Sequence, residues 1–248
     1  MDAFLLTVPD APSRILMLDY DGTLAPFRAE RHMAIPYPGV RDILNDILST
    51  KRTRLVIVSG RSIRDLISLL GLAKLPELYG SHGAEYLDVD RKYHRCELSI
   101  KVAEGLLQAA EWAQKNDLAG VIEKKPCGLA FHWRGLNRAR GSDIEKDVCN
   151  HWKSKVSEFG LELHRFDGGV ELRPKGIDKG EVVNRVLADV AEGTVAAYLG
   201  DDLTDEDAFR AMRGRGISVL VGESDRETSA DVRITPPDQL LDFLRRWV

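Results

Sequence analysis

Four short apolar runs, each ending in a polar turn, constrain the fold of this 248-residue chain more than any other feature. They lie in RILMLDYDGT (14–23), RLVIVSGRS (54–62), VAAYLGDD (195–202) and ISVLVG (217–222). Continuous apolar stretches of this length are typical of strands covered on both faces, as in a parallel sheet. Amphipathic helix patterns separate the runs, so the sequence predicts an α/β fold with helices on both faces of the sheet.

The middle of the chain has a different pattern. Two helix patterns alternate there with two predicted hairpins, which turn near residues 126–128 and 168–169. Helix and hairpin segments of this kind form an α+β unit. We therefore expect a discontinuous core domain, residues 1–97 and 173–248, into which an α+β cap domain, residues 98–172, is inserted.

Three local patterns predict where helices begin. Ser142 with Glu145 three residues later is a capping-box pattern, and it predicts the start of the second helix of the cap. Ser62 with Asp65 can cap a helix after the second apolar run. Asp178 is a plausible N-cap for the helix that follows it.

Composition and charge exclude several classes of protein. Lys plus Arg number 35 and Asp plus Glu number 39, so the net charge is -4, and no basic run suits nucleic acid. No apolar stretch approaches the ~20 residues that span a bilayer, and the N-terminus lacks the basic leader of a secretion signal. The three cysteines, Cys96, Cys127 and Cys149, show no CxxC spacing, which disfavours a disulfide framework and a thiolate zinc site. We expect a cytoplasmic protein without a membrane or nucleic-acid partner.

Acidic residues follow two of the apolar runs. Asp19 and Asp21 end the first run, and Asp201 and Asp202 end the third, with Asp205 shortly after them. Ligands of open α/β sheets bind beyond the carboxyl ends of the strands, and carboxylates from two strand ends suit Mg2+. An Asp-Gly turn and an acidic helix N-terminus are the ordinary structural alternatives, but they do not explain the whole set.

Two further residues suit a phosphate. Ser59 follows the second apolar run beside Gly60, where a hydroxyl can bind a phosphate oxygen, although Ser-Gly after a strand is usually only a turn. Lys179 lies in the first turn of a predicted helix, where its charge opposes the helix dipole. A solvated lysine is the ordinary interpretation of that position.

Together these motifs resemble the four motifs of the haloacid dehalogenase-like (HAD-like) phosphotransferases, in the same order and on the same elements. The resemblance implies a Rossmann-like hydrolase core in which Asp19 is the nucleophile that forms an aspartyl-phosphate. It implies that Asp21 is the general acid and base, and that Ser59 and Lys179 hold the phosphoryl oxygens. Aspartate at position 21 favours a phosphatase or mutase, and an α+β insert between the Ser59 and Lys179 motifs favours a phosphatase.

The resemblance also implies a magnesium cofactor. Asp19, the backbone carbonyl of Asp21 and Asp201 would bind Mg2+, which lets an anionic nucleophile approach an anionic phosphate. Asp202 and Asp205 would support that site or Lys179.

A narrower resemblance concerns the substrate. SGR (59–61), GSHGAEY (80–86), the Glu-x-Lys at 123–125, VELRPKGIDKG (170–180) and GDDLTDEDAF (200–209) are similar to the trehalose-6-phosphate phosphatase family. This implies that Glu123, Lys125 and Glu171 bind the sugar. Glu123 and Lys125 are two residues apart on a predicted strand, so they share a face, although an exposed charged strand face is the ordinary alternative. Further substrate-binding candidates, each of which also fits a structural role, are Arg61, His82, His132 and Arg134.

Other functions remain open at this point. Sucrose phosphate, glucosylglycerol phosphate and mannosyl-3-phosphoglycerate phosphatases share the core and the type of cap. A non-catalytic sugar-phosphate sensor could also use this fold. The expected partners are a small sugar phosphate and a trehalose-phosphate synthase on a separate protein, because no segment here resembles such a synthase.

Overall fold

The computed structural model describes residues 1–28, 30–166, 168–223 and 226–248. The chain divides into two compact units, Met1–His94 with Asp178–Val248, and Arg95–Ile177. The second unit begins earlier and ends later than the predicted insert 98–172. Its sheet includes a strand that continues to Pro174, and this explains the later end.

The elements follow in chain order. The strands are β1 (Arg14–Leu18), β2 (Thr53–Val58), β3 (Glu77–Gly80), β4 (Glu85–Leu87), β5 (Tyr93–Arg95), β6 (Ile122–Lys125), β7 (Gly128–His132), β8 (Leu161–Phe166), β9 (Gly169–Pro174), β10 (Val195–Gly200), β11 (Ile217–Val221) and β12 (Val232–Ile234). The helices are α1 (Asp2–Leu5), α2 (Val40–Thr50), α3 (Ile63–Leu70), α4 (Ile100–Lys115), α5 (Arg138–Trp152), α6 (Val156–Phe159), α7 (Lys179–Val186), α8 (Glu206–Met212) and α9 (Asp238–Arg245).

The first unit is built on a sheet with the strand order β12-β11-β10-β1-β2-β3-β4-β5. The strands from β12 to β3 are parallel, and β4 is antiparallel to β3. Strand β1 is central and buried throughout. Its Leu16 and Leu18 pack in one hydrophobic cluster with α2, α3 and α9, whereas Ile15 and Met17 pack in another with α7 and α8. Both faces of the sheet are therefore covered by helices, and the predicted α/β fold is confirmed.

The second unit has an antiparallel sheet in the order β6-β7-β9-β8. One face packs on α4 and α5 through buried residues that include Phe131, Leu172 and Trp152. The opposite face carries polar side chains, because successive residues of a strand point to opposite faces. This arrangement matches the predicted helices and hairpins of the insert.

The first residues of three helices can be compared with the predicted N-caps. The side chains of Ser62 and Asp178 accept backbone N–H bonds at the starts of α3 and α7, so these two predictions are confirmed. The prediction for Ser142 is wrong, since α5 begins at Arg138 after Asn137, whose side chain accepts the Arg140 N–H at 2.9 Å. The helix thus starts more than one turn before the capping-box pattern.

A disulfide joins Cys96 and Cys127 in the second unit, while Cys149 is free. The expectation that the cysteines disfavour a disulfide is wrong, and the cysteine pattern gives no support for a reducing compartment. The two residues are 31 positions apart, and only folding brings their Cα atoms to 6.6 Å. Throughout the described ranges, every helix is too short or too polar to cross a lipid bilayer.

Candidate active site

Two aspartates converge at the carboxyl end of the parallel sheet. Asp19 follows β1 and Asp201 follows β10, and these strands are hydrogen-bonded neighbours with Leu18 opposite Leu199. The Asp19 N–H donates to the Leu199 carbonyl at 2.9 Å, which extends the ladder to the site. One carboxylate oxygen each from Asp19, Asp201 and Asp205 lie within 4.8 Å of one another. This acidic cluster has the geometry to hold a metal ion.

Lys179 supplies the positive charge of this cluster. Its Nζ lies 2.9 Å from Asp19 Oδ1 and 2.7 Å from Asp205 Oδ1, and its side chain is buried. Burial alone would lower the pKa of Lys179, but the two carboxylates outweigh burial and hold the pKa above its ordinary value. The first residue of α7 is therefore a charged lysine directed at Asp19.

The carboxylate of Asp205 is saturated with donors. Lys179 Nζ at 2.7 Å and the Tyr198 hydroxyl at 2.6 Å bind Oδ1, and the N–H groups of Asp201 and Asp202 bind Oδ2 at 3.1 and 3.0 Å. A carboxylate offers about four lone-pair sites, so none is left for a metal. Asp205 therefore orients Lys179 and the loop after β10. Tyr198 was not identified from the sequence, because an aromatic residue inside an apolar strand indicates only core packing.

Asp201, by contrast, has a carboxylate oxygen that can still accept a bond. Its Oδ1 is buried and has no hydrogen-bond partner. Burial and the charges of Asp19 and Asp205 raise the pKa of Asp201 well above its ordinary value. Burial likewise raises the pKa of Asp19 to about 7, although the Lys179 charge opposes it. A hard divalent cation would supply the missing partner and offset the repulsion, so these residues fit Mg2+.

Gly22 makes the close approach of Asp201 possible. A Cβ atom at position 22 would lie 1.8 Å from Asp201 Oδ2. The φ angle of Gly22 is also +77°, which L-residues with side chains rarely adopt. The glycine of the Asp-x-Asp-Gly motif is therefore required both by the turn and by the neighbouring carboxylate.

Asp21 is held by Arg61. The Nε and Nη2 atoms of Arg61 donate to Asp21 Oδ2 at 2.6 Å and Oδ1 at 2.5 Å, and the guanidinium lies 5.6 Å from the centre of the Tyr20 ring. Such a two-point bond fixes the carboxylate in one orientation. The structure thus joins Arg61, which the sequence suggested for substrate binding, to the candidate general acid and base.

Ser59 and His82 lie in one buried loop cluster. Ser59 follows β2, the neighbour of β1, and its Oγ accepts the Arg61 N–H at 3.2 Å. The His82 N–H donates to the Ser59 carbonyl at 2.9 Å. The His82 ring lies so close to Gly60 that a Cβ there would be 2.7 Å from it. His82 therefore shapes the Ser59 loop by packing.

Asp202 has a local structural contact. Its side chain accepts the Leu203 N–H at 2.6 Å and forms a capping box with Asp205 at the short 3-10 turn Leu203–Asp205. It lies beside the acidic cluster of Asp19, Asp201 and Asp205 but is not part of it.

A second polar cluster lies on the face of the second unit's sheet that is opposite to α4 and α5. Glu123 of β6, Ala130 of β7 and Glu171 of β9 are paired across neighbouring strands. Lys125 Nζ donates to Glu171 Oε2 at 2.7 Å, and this bond spans β7, the strand between them. A Cβ at Gly128 on β7 would lie 2.8 Å from Glu171 Oε1, so this small residue leaves room for the pair.

His132 belongs to the same cluster. Its Nε2 lies 2.7 Å from Glu123 Oε2. Its ring meets the Phe166 ring edge-on, with centroids 5.3 Å apart, and Lys125 Nζ lies 6.0 Å from the same ring. Phe166 was not identified from the sequence. Arg134 lies against the Gly168 turn.

The comparisons identify the family. A sequence model described as trehalose-phosphatase matches residues 17–237. The chain belongs to the trehalose-phosphatase family. Among relatives, it is 31% identical to a trehalose-phosphate phosphatase of Mycobacterium marinum over 95% of this chain and 61% of that protein. It is 28% identical to trehalose-phosphate phosphatase B of Arabidopsis thaliana over 94% of this chain and 66% of that protein. The chain thus spans about two thirds or less of the length of these trehalose-phosphatase relatives.

Two solved structures share the fold of this chain. The C-terminal domain of Candida albicans trehalose-6-phosphate phosphatase aligns with a TM-score of 0.84 and 24% identity, over 99% of this chain and 95% of that one. The C-terminal domain of a Candida albicans trehalose synthase regulatory protein aligns with a TM-score of 0.77 and 13% identity, over 98% and 97%. Similarity at these identities establishes the fold alone.

Proposed function

We propose that this protein is a Mg2+-dependent phosphatase that hydrolyses trehalose 6-phosphate to trehalose and phosphate through an aspartyl-phosphate intermediate. The observation that carries the proposal is the contact of Lys179 with Asp19 beside the unpartnered Asp201 oxygen, in a chain of the trehalose-phosphatase family. A buried nucleophile, a fixed cation and free metal-binding capacity are what phosphoryl transfer requires.

The first chemical step would use Asp19 and Lys179. Asp19 would attack the phosphorus atom, and Lys179 and the Ser59 hydroxyl would hold the phosphoryl oxygens. Mg2+, bound by Asp19, Asp201 and the Asp21 carbonyl, would lower the repulsion between the nucleophile and the phosphate. Asp205 would keep Lys179 in position through the 2.7 Å bond.

Asp21 would serve in both halves of the reaction. The bond to Arg61 holds its carboxylate in a fixed orientation, which suits acceptance of a proton from the attacking water. Each Asp21 oxygen keeps a further lone-pair site beyond its Arg61 bond, where the carboxyl group could carry the proton that it gives to the leaving alcohol. Arg61 would thus orient Asp21 in both halves of the reaction.

The sugar would be bound by the polar cluster of the second unit. Carboxylate and ammonium groups pair well with sugar hydroxyls, and Glu123, Lys125 and Glu171 supply both kinds. His132 would keep Glu123 in place, whereas Arg134 is proposed as a weaker contact near its turn. Sucrose phosphate, glucosylglycerol phosphate and mannosyl-3-phosphoglycerate are the alternative substrates, since they would use the same phosphate chemistry.

The proposed setting is the cytoplasm, with a separate trehalose-phosphate synthase as the source of substrate. The Cys96–Cys127 disulfide is the observation against that location, because such bonds are rare in reducing compartments. A sensor without catalysis is disfavoured because Asp19, Lys179 and Asp201 form a complete cluster.

Phosphate release from trehalose 6-phosphate and the three alternative esters tests the proposal, with Mg2+ and with EDTA. We expect strong Mg2+-dependent preference for trehalose 6-phosphate and loss of turnover in Asp19→Asn. Asp207→Asn is the matched control, since its contact is an exposed ion pair with Arg210. Preference for another ester would overturn the sugar assignment, and turnover retained in Asp19→Asn would overturn the mechanism.

A further inference from the structure

We infer that Arg226 is a positioning residue for the metal site, because it fixes the backbone that aims Asp201 at Asp19. The inference rests on the proposed metal site and adds a residue that lies outside the sequence motifs of that site. Arg226 lies in the segment between β11 and β12.

The Arg226 guanidinium forms hydrogen bonds with the loop that carries Asp201. Its Nη2 donates to the carbonyl oxygens of Asp201 and Asp202 at 3.1 and 3.0 Å. Its Nη1 donates to a carboxylate oxygen of Glu206, the first residue of α8. One side chain therefore ties two successive peptide groups of the loop to the helix that follows them.

Glu206 is itself firmly held. It accepts the Thr228 hydroxyl at 2.8 Å and the Ser229 N–H at 2.7 Å in addition to Arg226. Burial acts to raise its pKa, but these donors and the Arg226 charge lower it below the ordinary value. Glu206 thus remains an anion that anchors Arg226 on a rigid helix.

The backbone of Asp201 and Asp202 is also held through its N–H groups. Asp205 Oδ2 accepts the N–H groups of Asp201 and Asp202, while Arg226 binds their carbonyl groups. Four hydrogen bonds therefore restrict the backbone torsions at these residues. Because Asp201 Oδ1 has no hydrogen-bond partner of its own, the direction of that carboxylate depends on the backbone. Loss of Arg226 would remove the hydrogen bonds to the two carbonyl groups, and the Asp201 carboxylate could then turn away from Asp19.

Metal affinity measures this role directly. Partners that orient metal ligands typically contribute 10–100-fold to affinity, so we expect Arg226→Met to bind Mn2+ at least about tenfold more weakly than wild type. Mn2+ prefers the same oxygen ligands as Mg2+. Electron paramagnetic resonance measures the concentration of free Mn2+, and this measurement does not depend on enzymatic activity. Arg226→Lys should lose less, because an ammonium keeps the charge but cannot span Glu206 and the two carbonyls together.

Arg210→Met is the control, because it removes an arginine of α8 whose ion pair with Asp207 is exposed. Its Mn2+ affinity should equal that of wild type. Unchanged affinity in folded Arg226→Met, within twofold, would overturn the inference. If Arg226→Met does not fold, Glu206→Gln and Arg226→Lys decide: weakened binding supports the inference, and wild-type binding in both overturns it.

The proposed metal site is tested separately in the same experiment. For the metal site to exist, the wild-type protein must bind Mn2+, Mg2+ must displace that ion, and Asp201→Asn must abolish the binding. Absence of such binding would refute the metal site itself, and the role of Arg226 would fall with it.

Discussion

Replacement of Asp205 by asparagine tests whether that carboxylate is a scaffold or a metal ligand. The substitution keeps the size of the side chain but removes its charge and one acceptor atom. Lys179, Tyr198 and two backbone N–H groups all donate to Asp205, which is completely buried. The one amide oxygen of an asparagine offers two lone-pair sites, so two of the four buried donors lose their partner.

The expected cost follows from these contacts. Lys179 keeps its contact with Asp19, so the cost comes from the buried donors that lose their partner, about 1–3 kcal/mol each or roughly 2–6 kcal/mol for two. In a chain of this size each kcal/mol lowers the melting temperature by ~2–4 °C, so Asp205→Asn should unfold roughly 4–24 °C below wild type. The loss should appear without metal, because the broken contacts are all within the protein.

Asp201→Asn should behave differently. Its Oδ1 makes no hydrogen bond, and its charge is repelled by Asp19 and Asp205. Removal of that charge should leave the melting temperature in EDTA unchanged or higher, while stabilisation by Mg2+ disappears. A bound ion at 100 times its Kd would otherwise add about 2.7 kcal/mol.

Thermal unfolding followed by circular dichroism, in EDTA and in Mg2+ at pH 7, compares the two variants with wild type and with Asp207→Asn. An Asp205→Asn protein that melts within 2 °C of wild type in EDTA would refute the scaffold argument. Equal loss of stability in Asp201→Asn would refute the reasoning about repulsion.

Three further predictions follow from single contacts. Gly128→Ala should displace the Glu171 carboxylate that Lys125 binds, and it should raise KM for the sugar phosphate about tenfold. Gly120→Ala is the control, because Gly120 has open space around it; equal KM values in the two variants would contradict the prediction. Burial raises the pKa of Asp19 to about 7, so the folded protein holds this proton more tightly than the unfolded chain does. In EDTA the free energy of unfolding should therefore fall by up to ~4 kcal/mol as the pH rises from about 4 to about 7. A pH titration of Asp19→Asn should show a smaller fall, because the pKa of Asp201 is raised as well. Cys127→Ser should lower the free energy of unfolding of the second unit by about 3.5 kcal/mol, as measured by denaturant titration. Cys149→Ser is the control, and identical unfolding of the two variants would show that the disulfide adds no stability.

The sequence was informative wherever the signal is local in the chain. Apolar runs predicted the parallel strands, because a strand buried on both faces needs apolar residues throughout. Asp19 and Asp201 could be expected near each other, because the carboxyl ends of parallel strands meet at one edge. The cap at Ser62 could be predicted from a side chain three residues from its partner.

Pairings between distant segments were decided only by the tertiary structure. The bond of Arg61 to Asp21, the clamp of Arg226 on the Asp201 loop and the Cys96–Cys127 disulfide each join residues that no periodicity or spacing relates. The capping pattern at Ser142 failed for a local reason, since Asn137, five residues earlier, caps the helix. Residue types thus determined which chemistry the chain can perform, whereas packing determined which side chains have capacity left for a ligand, because a carboxylate saturated by neighbouring donors cannot bind one.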